Sequence, residues 1–129
     1  MTKISSSIRT ERYSIEMKSP TGNVLIADEP IDKGGKDSGF SPKQLLGAAL
    51  AACTSATVRM YADRSEWFLD EVKVDIHLER DDSDNKTVIN RTIEFIGNLT
   101  DAQRKRLLAA ANACPVHKIL SNPIEINTI

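Results

Sequence analysis

An apolar segment in the middle of the chain, residues 45–53, constrains the fold most, because it contains no charged side chain. Ser41 is a favourable N-cap before it, Pro42 suits the first helical position, and Gln44 completes a capping box. The pattern predicts a helix that begins at Ser41 and ends near Arg64. After Gln44 the first half of this helix has no polar face, so we expect it to be buried on all sides. A chain of 129 residues can hardly surround such a helix alone, so we expect a partner subunit.

Segments on both sides of this helix have the composition and alternation of β-strands joined in hairpins. The four segments are residues 3–17, 24–28, 72–78 and 87–96. The apolar positions of the first segment change parity near residues 9–12, which indicates a bulge or a break in the strand.

A second helix follows the fourth strand. Thr100 is its N-cap, and Gln103 completes a second capping box. Leu107, Leu108 and Ala111 are expected to form the buried stripe of this helix.

The C-terminal part is expected to contain a short third helix and a final strand. Cys114 and Pro115 begin the helix of residues 116–120, and residues 123–129 form the strand. The predicted order is therefore β-β-α-β-β-α-α-β. Hairpins without regular β-α-β crossovers favour an α+β fold with antiparallel sheets around a buried central helix. We expect one domain that spans residues 1–129.

Composition excludes several classes of function. The net charge is −1, with 17 basic and 18 acidic residues, and this balance predicts no nucleic-acid partner and no membrane-surface partner. The N-terminus lacks the apolar core of a signal peptide. Residues 45–53 are about half as long as the ~20 residues that a membrane span needs. We therefore expect a cytoplasmic protein whose thiols are reduced.

The chain has two cysteines, Cys53 and Cys114, in different local settings. Burial of Cys53 in mid-helix would make it inert unless a cation or a base lies nearby. Cys114 is the expected N-cap of the third helix, where free N–H groups favour a thiolate, and His117 follows three residues later. Local reasoning therefore favours Cys114 as the more activated thiol. The alternatives are a small core residue at Cys53 and a helix cap without chemistry at Cys114.

A metal site is a third use for these residues. Cys114 and His117 have the spacing of half a site, and Cys53 and His77 are further candidate ligands. No second close pair of ligands exists, and His77 alternates outward on its strand. We therefore expect no metal and no bound cofactor.

A glycine-rich segment, residues 30–40, precedes the main helix and is interpreted as a flexible loop. It contains Lys33 and Lys36 but lacks the spacing of a phosphate-binding loop.

The two cysteine motifs together resemble a known family. Ser41-Pro42-x-Gln44-Leu45-Leu46-x-Ala48-Ala49-x-Ala51-Ala52-Cys53 is followed some sixty residues later by Cys114-Pro115-Val116. This arrangement is similar to the OsmC/Ohr family (osmotically inducible protein C and organic hydroperoxide resistance protein), and the resemblance covers nearly the whole chain. The Cys-Pro-Val-His form is closest to its broad OsmC-like branch.

This resemblance implies an intertwined homodimer with active sites at the subunit interface. It also implies a thiol-dependent peroxidase that reduces organic, lipid-type hydroperoxides. In that family the cysteine in the position of Cys53 attacks the O–O bond and becomes a sulfenic acid. The cysteine in the position of Cys114 resolves it as a disulfide, and an external dithiol such as a lipoyl group restores both thiols.

The chain departs from the hydroperoxide-specialised members at the residues that activate the thiol. Those members have a glutamate just after the proline, where this chain has Lys43 followed by Gln44. They also use an arginine from an earlier loop, whereas this chain has none between Arg12 and Arg59. Lys33, Lys36 or Lys43 are the candidate sources of positive charge. A lysine supplies charge without the planar fork of arginine.

A second function remains open on the same scaffold. The protein can instead be a non-catalytic module that binds a small ligand or senses redox state through a reversible disulfide. Turnover distinguishes the two functions, because a sensor is oxidised once whereas an enzyme cycles with a dithiol.

Overall fold

The computed structural model describes residues 1–129. The chain divides into two compact units, Met1–Leu46 and Gly47–Ile129. The elements, in chain order, are β1 (Ser5–Ile8), β2 (Ile15–Lys18), β3 (Val24–Ala27), a 3₁₀ turn (Ile31–Lys33), α1 (Pro42–Ser65), β4 (Phe68–Asp81), β5 (Lys86–Asn98), α2 (Asp101–Asn112) and α3 (Pro115–Leu120). Both sheets are antiparallel, which confirms the α+β class.

The first unit contains a three-stranded sheet in the order β1-β2-β3. The sequence predicts one strand over residues 3–17 with a bulge or a break, and the structure has two strands there. Ile8 pairs with Ile15, so the interruption is a reversal of the chain that turns the segment into a hairpin. The turn before β3 is confirmed by the Ser19 N–H, which donates to Asn23 O at 2.9 Å.

The glycine-rich loop of this unit is organised by Asp28, a buried carboxylate. Its Oδ1 accepts hydrogen bonds from the backbone N–H groups of Tyr13 and Glu29. Its Oδ2 accepts from the N–H groups of Lys36 and Ser38 and from the Ser38 hydroxyl at 2.7 Å. The Ser38 hydroxyl is the largest cause that holds the pKa of Asp28 well below its usual range; burial opposes this effect, and the N–H groups of Ser38, Glu29 and Tyr13 add to it.

Replacing Asp28 with asparagine is expected to lower stability at neutral pH. Both carboxylate oxygens of Asp28 accept hydrogen bonds, whereas the NH₂ group of an asparagine cannot accept the hydrogen bonds that one of these oxygens receives. The lowered pKa of Asp28 stabilises the fold above the pKa of an unfolded aspartate, near 4, and this contribution is lost as the pH falls below it. At pH 7 the urea midpoint of wild type should therefore be higher than that of Asp28→Asn. This difference between the two midpoints should become smaller as the pH is lowered to 3. Exposed Asp32→Asn is the control, and equal midpoints for wild type and Asp28→Asn at pH 7 would contradict the role of Asp28.

Helix α1 begins with the expected capping box. Ser41 N–H donates to Gln44 Oε1 at 2.9 Å, and Gln44 N–H donates to Ser41 Oγ at 3.2 Å. The helix ends at Ser65, one residue beyond the predicted end. Within one chain only one face is buried, whereas the sequence predicts burial on all sides. The buried residues are Gly47, Leu50, Thr54, Val58 and Ala62.

By length and composition alone, α1 is long and apolar enough to cross a membrane. This is weak evidence for a membrane span, because the core helix of a soluble protein has the same properties. Val58 and Ala62 of α1 belong to the hydrophobic core, together with Leu69, Leu107 and Ala111.

In the second unit β4 and β5 form a long hairpin, in which apolar and polar side chains alternate as predicted. The capping box at Thr100 and Gln103 is confirmed. Leu107 and Ala111 are fully buried on α2, but Leu108 is 48% exposed, so its predicted burial is wrong. Leu108 lies one residue, or about 100° of rotation, beyond Leu107 on the helix.

The predicted final strand is absent, because residues 123–129 pair with no strand of this chain. Ile124 and Ile126 are 59% and 84% exposed. With two strands in place of the first and none at the end, the observed order is β-β-β-α-β-β-α-α. Alternating apolar residues form a strand only where they pair with the edge of a neighbouring strand, and the last residues make no such pairing within this chain.

Candidate active site

The two cysteine sulfurs meet at the first turn of α3. Cys53 lies in the middle of α1, and its Sγ accepts a hydrogen bond from the Val116 N–H at 3.5 Å. Cys114 is the N-cap of α3, and its Sγ accepts from the His117 N–H at 3.3 Å. Both thiols are free. Two residues sixty-one positions apart in the sequence are thus held by adjacent N–H groups of one helical turn.

Local sequence explains this arrangement at Cys114. Pro115 occupies the first helical position, where its missing N–H costs nothing, and Cys114 before it is extended with ψ of 145°. The cap position predicted for Cys114 is therefore confirmed. Cys114 is buried, whereas Cys53 is partly exposed.

Several groups around Cys114 act on the pKa of its thiol. Burial by itself raises the pKa of the Cys114 thiol. The His117 N–H, the Cys53 thiol, the Thr54 hydroxyl and the positive charge of Arg91 together outweigh burial, so the pKa lies below its ordinary value. The sequence predicts that the helix N-terminus favours a thiolate at Cys114, and the His117 N–H acts in that direction.

Arg91 is the cation at this site, and the sequence reasoning did not identify it. It lies on β5 opposite Ile76 of β4, and its Nη1 donates to Thr54 Oγ1 at 2.9 Å. Thr54 Oγ1 is in turn 3.9 Å from Cys114 Sγ. A signal existed in the sequence, because period-two alternation places Arg91 on the same strand face as the apolar Ile89 and Ile93.

His117 is oriented by the same arginine. Arg91 Nη2 lies 3.1 Å from His117 Nδ1 and donates to Asn112 Oδ1 at 2.8 Å. Because a guanidinium only donates, Nδ1 must accept, and the proton of the neutral imidazole lies on Nε2. The candidate residue His117 thus lies at the site through both its backbone and its ring.

The other candidate residues belong to the first unit. Lys36 forms an ion pair with Glu11 at 3.3 Å, and Lys33 is an exposed residue that ends the 3₁₀ turn. Gln44 is engaged in the cap of α1, and Lys43 beside it is exposed. The ion pair of Lys36 and the hydrogen bonds of Gln44 are formed within that unit.

No group of three or more histidine, cysteine, aspartate or glutamate side chains could hold a metal ion. His77, the fourth ligand considered from the sequence, lies on the exposed face of β4 with Nε2 at 3.1 Å from Glu79.

The profile of a family described as OsmC-like protein matches residues 35–129. No curated protein matches the chain. Among solved structures, an OsmC-like protein of Mycoplasma pneumoniae is similar with a TM-score of 0.79 and 20% identity, covering 93% of this chain and 86% of that one. The organic hydroperoxide resistance protein OsmC of Legionella pneumophila has a TM-score of 0.69 and 21% identity, covering 94% and 89%. The organic hydroperoxide resistance protein OhrB of Bacillus subtilis has a TM-score of 0.63 and 24% identity, covering 94% and 90%. At these identities the solved structures establish the fold.

Proposed function

The chain belongs to the family of OsmC-like proteins, and we propose that it is a thiol-dependent peroxidase that reduces organic hydroperoxides. Cys53 is the attacking thiol and Cys114 the resolving thiol. The observation that carries the proposal is the meeting of two free thiols at one helical turn, connected through Thr54 to an arginine.

The reduced pair is proposed to share one proton. The Cys53 thiol donates toward the Cys114 sulfur, and the lowered pKa of Cys114 favours negative charge there. Within one chain Cys53 is partly exposed and Cys114 is buried, so Cys53 is the more accessible of the two thiols. The Cys114 thiolate can therefore act as the base that takes the proton from Cys53 when Cys53 attacks.

In the first step the Cys53 sulfur bonds to the terminal oxygen of the hydroperoxide, and the O–O bond breaks. Cys53 is oxidised to a sulfenic acid. The alkoxide takes the proton that Cys114 received from Cys53 and leaves as an alcohol. Cys114 is then a thiolate again.

In the second step the Cys114 thiolate attacks the sulfenic sulfur of Cys53. The S–S bond forms, the S–O bond breaks, and hydroxide leaves to become water with a proton from solvent. An external dithiol of the lipoyl type then reduces the disulfide by thiol–disulfide exchange and is itself oxidised.

Arg91 is proposed to supply the positive charge that hydroperoxide-specialised members take from an earlier loop. Its guanidinium acts on Cys114 through charge and through the Thr54 hydroxyl. This assignment accounts for an active thiol pair in a chain that has Lys43 in place of the glutamate. The lysines of the glycine-rich loop are not required.

We propose a homodimer because one face of α1, which contains Cys53, is not buried within a single chain. Ala49, Cys53, Ala56 and Met60 follow one another at intervals of four, three and four residues, so they lie on one stripe of the helix. Met60 is 59% exposed. A second copy of the chain would cover this stripe and place the thiols at the subunit interface. A cytoplasmic location would keep both thiols reduced between turnovers.

The test is steady-state reduction of cumene hydroperoxide by the purified protein with dihydrolipoamide. We expect many equivalents of hydroperoxide to be consumed for each protein chain. Consumption of a single equivalent, with a disulfide that dihydrolipoamide cannot reduce, would instead favour a redox sensor. No oxidation of a folded protein with two free thiols would favour a ligand-binding module.

A further inference from the structure

Arg91 also lines a cleft of about 470 Å³. Its volume is within the range of small-molecule binding sites. The lining side chains come from α1, β5, α2, α3 and the residue after α3. They are Leu50, Thr87, Ile89, Arg91, Ile93, Leu108, Asn112, His117, Leu120 and Ser121. Neither cysteine is among them.

Arg91 contributes positive charge to the Cys114 thiol but has no carboxylate partner in this cleft. It takes part in no ion pair, and its side-chain partners Thr54, Asn112 and His117 carry no negative charge. Ile89 and Ile93 flank it on β5, so the charge lies among apolar side chains. A cation in such surroundings is costly unless an anion pairs with it.

The exposed Leu108 has a role in the same cleft. Leu108 and Leu120 supply apolar lining to the cleft, as do the isoleucines of β5. A ligand with one anionic end and an apolar chain would satisfy both parts of this surface: the anion would bind the guanidinium, and the chain would cover the leucines and isoleucines.

We propose that the cleft binds a monocarboxylate with a medium-length apolar chain, with the carboxylate on Arg91, and that this ligand lowers the reactivity of the thiols. The ligand is an effector and not the hydroperoxide. Its charged end occupies the arginine and its chain lies in a cleft that neither sulfur lines, so a peroxide group on that chain would not meet Cys53.

The ligand would affect the thiols because Arg91 both lines the cleft and acts on Cys114. The same guanidinium contributes to the negative charge on Cys114, directly and through Thr54. A carboxylate bound to Arg91 would offset that positive charge, so less thiolate would form at Cys114. This coupling rests on the proposed role of Arg91 at the thiols, whereas binding of the carboxylate does not.

Binding is tested by calorimetry on the reduced, full-length protein with octanoate, octanol and octylamine. We expect octanoate to bind about tenfold more tightly than octanol, and octylamine to bind more weakly than either. Arg91→Leu should remove the preference for octanoate, and the exposed Arg106→Leu on α2 is the matched control. Equal affinity for octanoate and octanol in wild type would overturn the carboxylate site, and this comparison does not depend on the folding of any variant.

Coupling is tested by the rate at which iodoacetamide alkylates the thiols, followed by mass spectrometry. Saturating octanoate should slow alkylation about fivefold, whereas saturating octanol, which fills the cleft without charge, should not. Octanoate that binds but leaves the rate unchanged would overturn the effector role. The readout involves no hydroperoxide, so it can succeed or fail independently of the proposed peroxidase.

Discussion

Replacing Cys53 with serine is expected to abolish hydroperoxide reduction, with a loss on the order of 10³-fold or more in the rate of peroxide consumption. A serine hydroxyl does not ionise at neutral pH, and the thiolate is the nucleophile in this chemistry. The change removes one partly exposed sulfur that accepts a single backbone hydrogen bond. The fold should therefore persist, which circular dichroism checks. The measurement is the initial rate with cumene hydroperoxide and dihydrolipoamide.

Cys114→Ser is the matched comparison, because it removes the other sulfur of the pair. This variant should consume one equivalent of peroxide and stop, with a sulfenic acid on Cys53 that dimedone labels. The first oxidation should also be slower than in wild type, because the base that takes the proton from Cys53 is lost. If Cys53→Ser instead formed a sulfenic acid on Cys114 at the wild-type rate, the two proposed roles would be exchanged.

Replacing Arg91 with leucine is expected to slow the oxidation of the thiol pair by roughly 10- to 100-fold, the effect of losing hydrogen bonds to a charged group. Without the guanidinium, the pKa of Cys114 should rise, and less of the pair should be ionised at neutral pH. The measurement is a single-turnover oxidation by cumene hydroperoxide, together with the pH dependence of alkylation, which should move to higher pH.

Two further variants separate charge from geometry at Arg91. Arg91→Lys keeps the positive charge but cannot contact Thr54, Asn112 and His117 together, so its rate should fall between those of wild type and Arg91→Leu. Arg106→Leu removes an exposed arginine from α2 and should leave the rate unchanged. A wild-type rate and an unchanged alkylation profile in Arg91→Leu would exclude the arginine as the activating cation.

Features that depend on neighbouring residues could be predicted from the sequence. The start of α1, the capping box at Thr100 and the cap at Cys114 were all correct, because each involves hydrogen bonds between residues no more than three positions apart. The alternation of β4 and β5 was correct for the same reason: each strand carries its own period of two. The motif that resembles the OsmC/Ohr family is also a local pattern around each cysteine.

The predictions were wrong where a feature depends on contacts with parts of the chain that are distant in sequence. Residues 123–129 alternate like a strand, yet they pair with no strand of this chain. Leu108 is apolar and follows a buried leucine, yet its direction on α2 leaves it exposed at the cleft. In both cases the apolar character of the side chains was clear from the sequence, but strand pairing and burial depend on the tertiary surroundings.

The sequence by itself determined the class of fold and the helix ends, and it identified the two cysteines as candidate catalytic residues. Only the tertiary structure brought Cys53 and Cys114 to one helical turn and placed Arg91 there through hydrogen bonds that span 37 residues to Thr54 and 26 to His117. The physical reason is that helix caps and strand periods follow from nearby residues. The charge on a thiol, in contrast, depends on groups that chain folding brings together from distant positions.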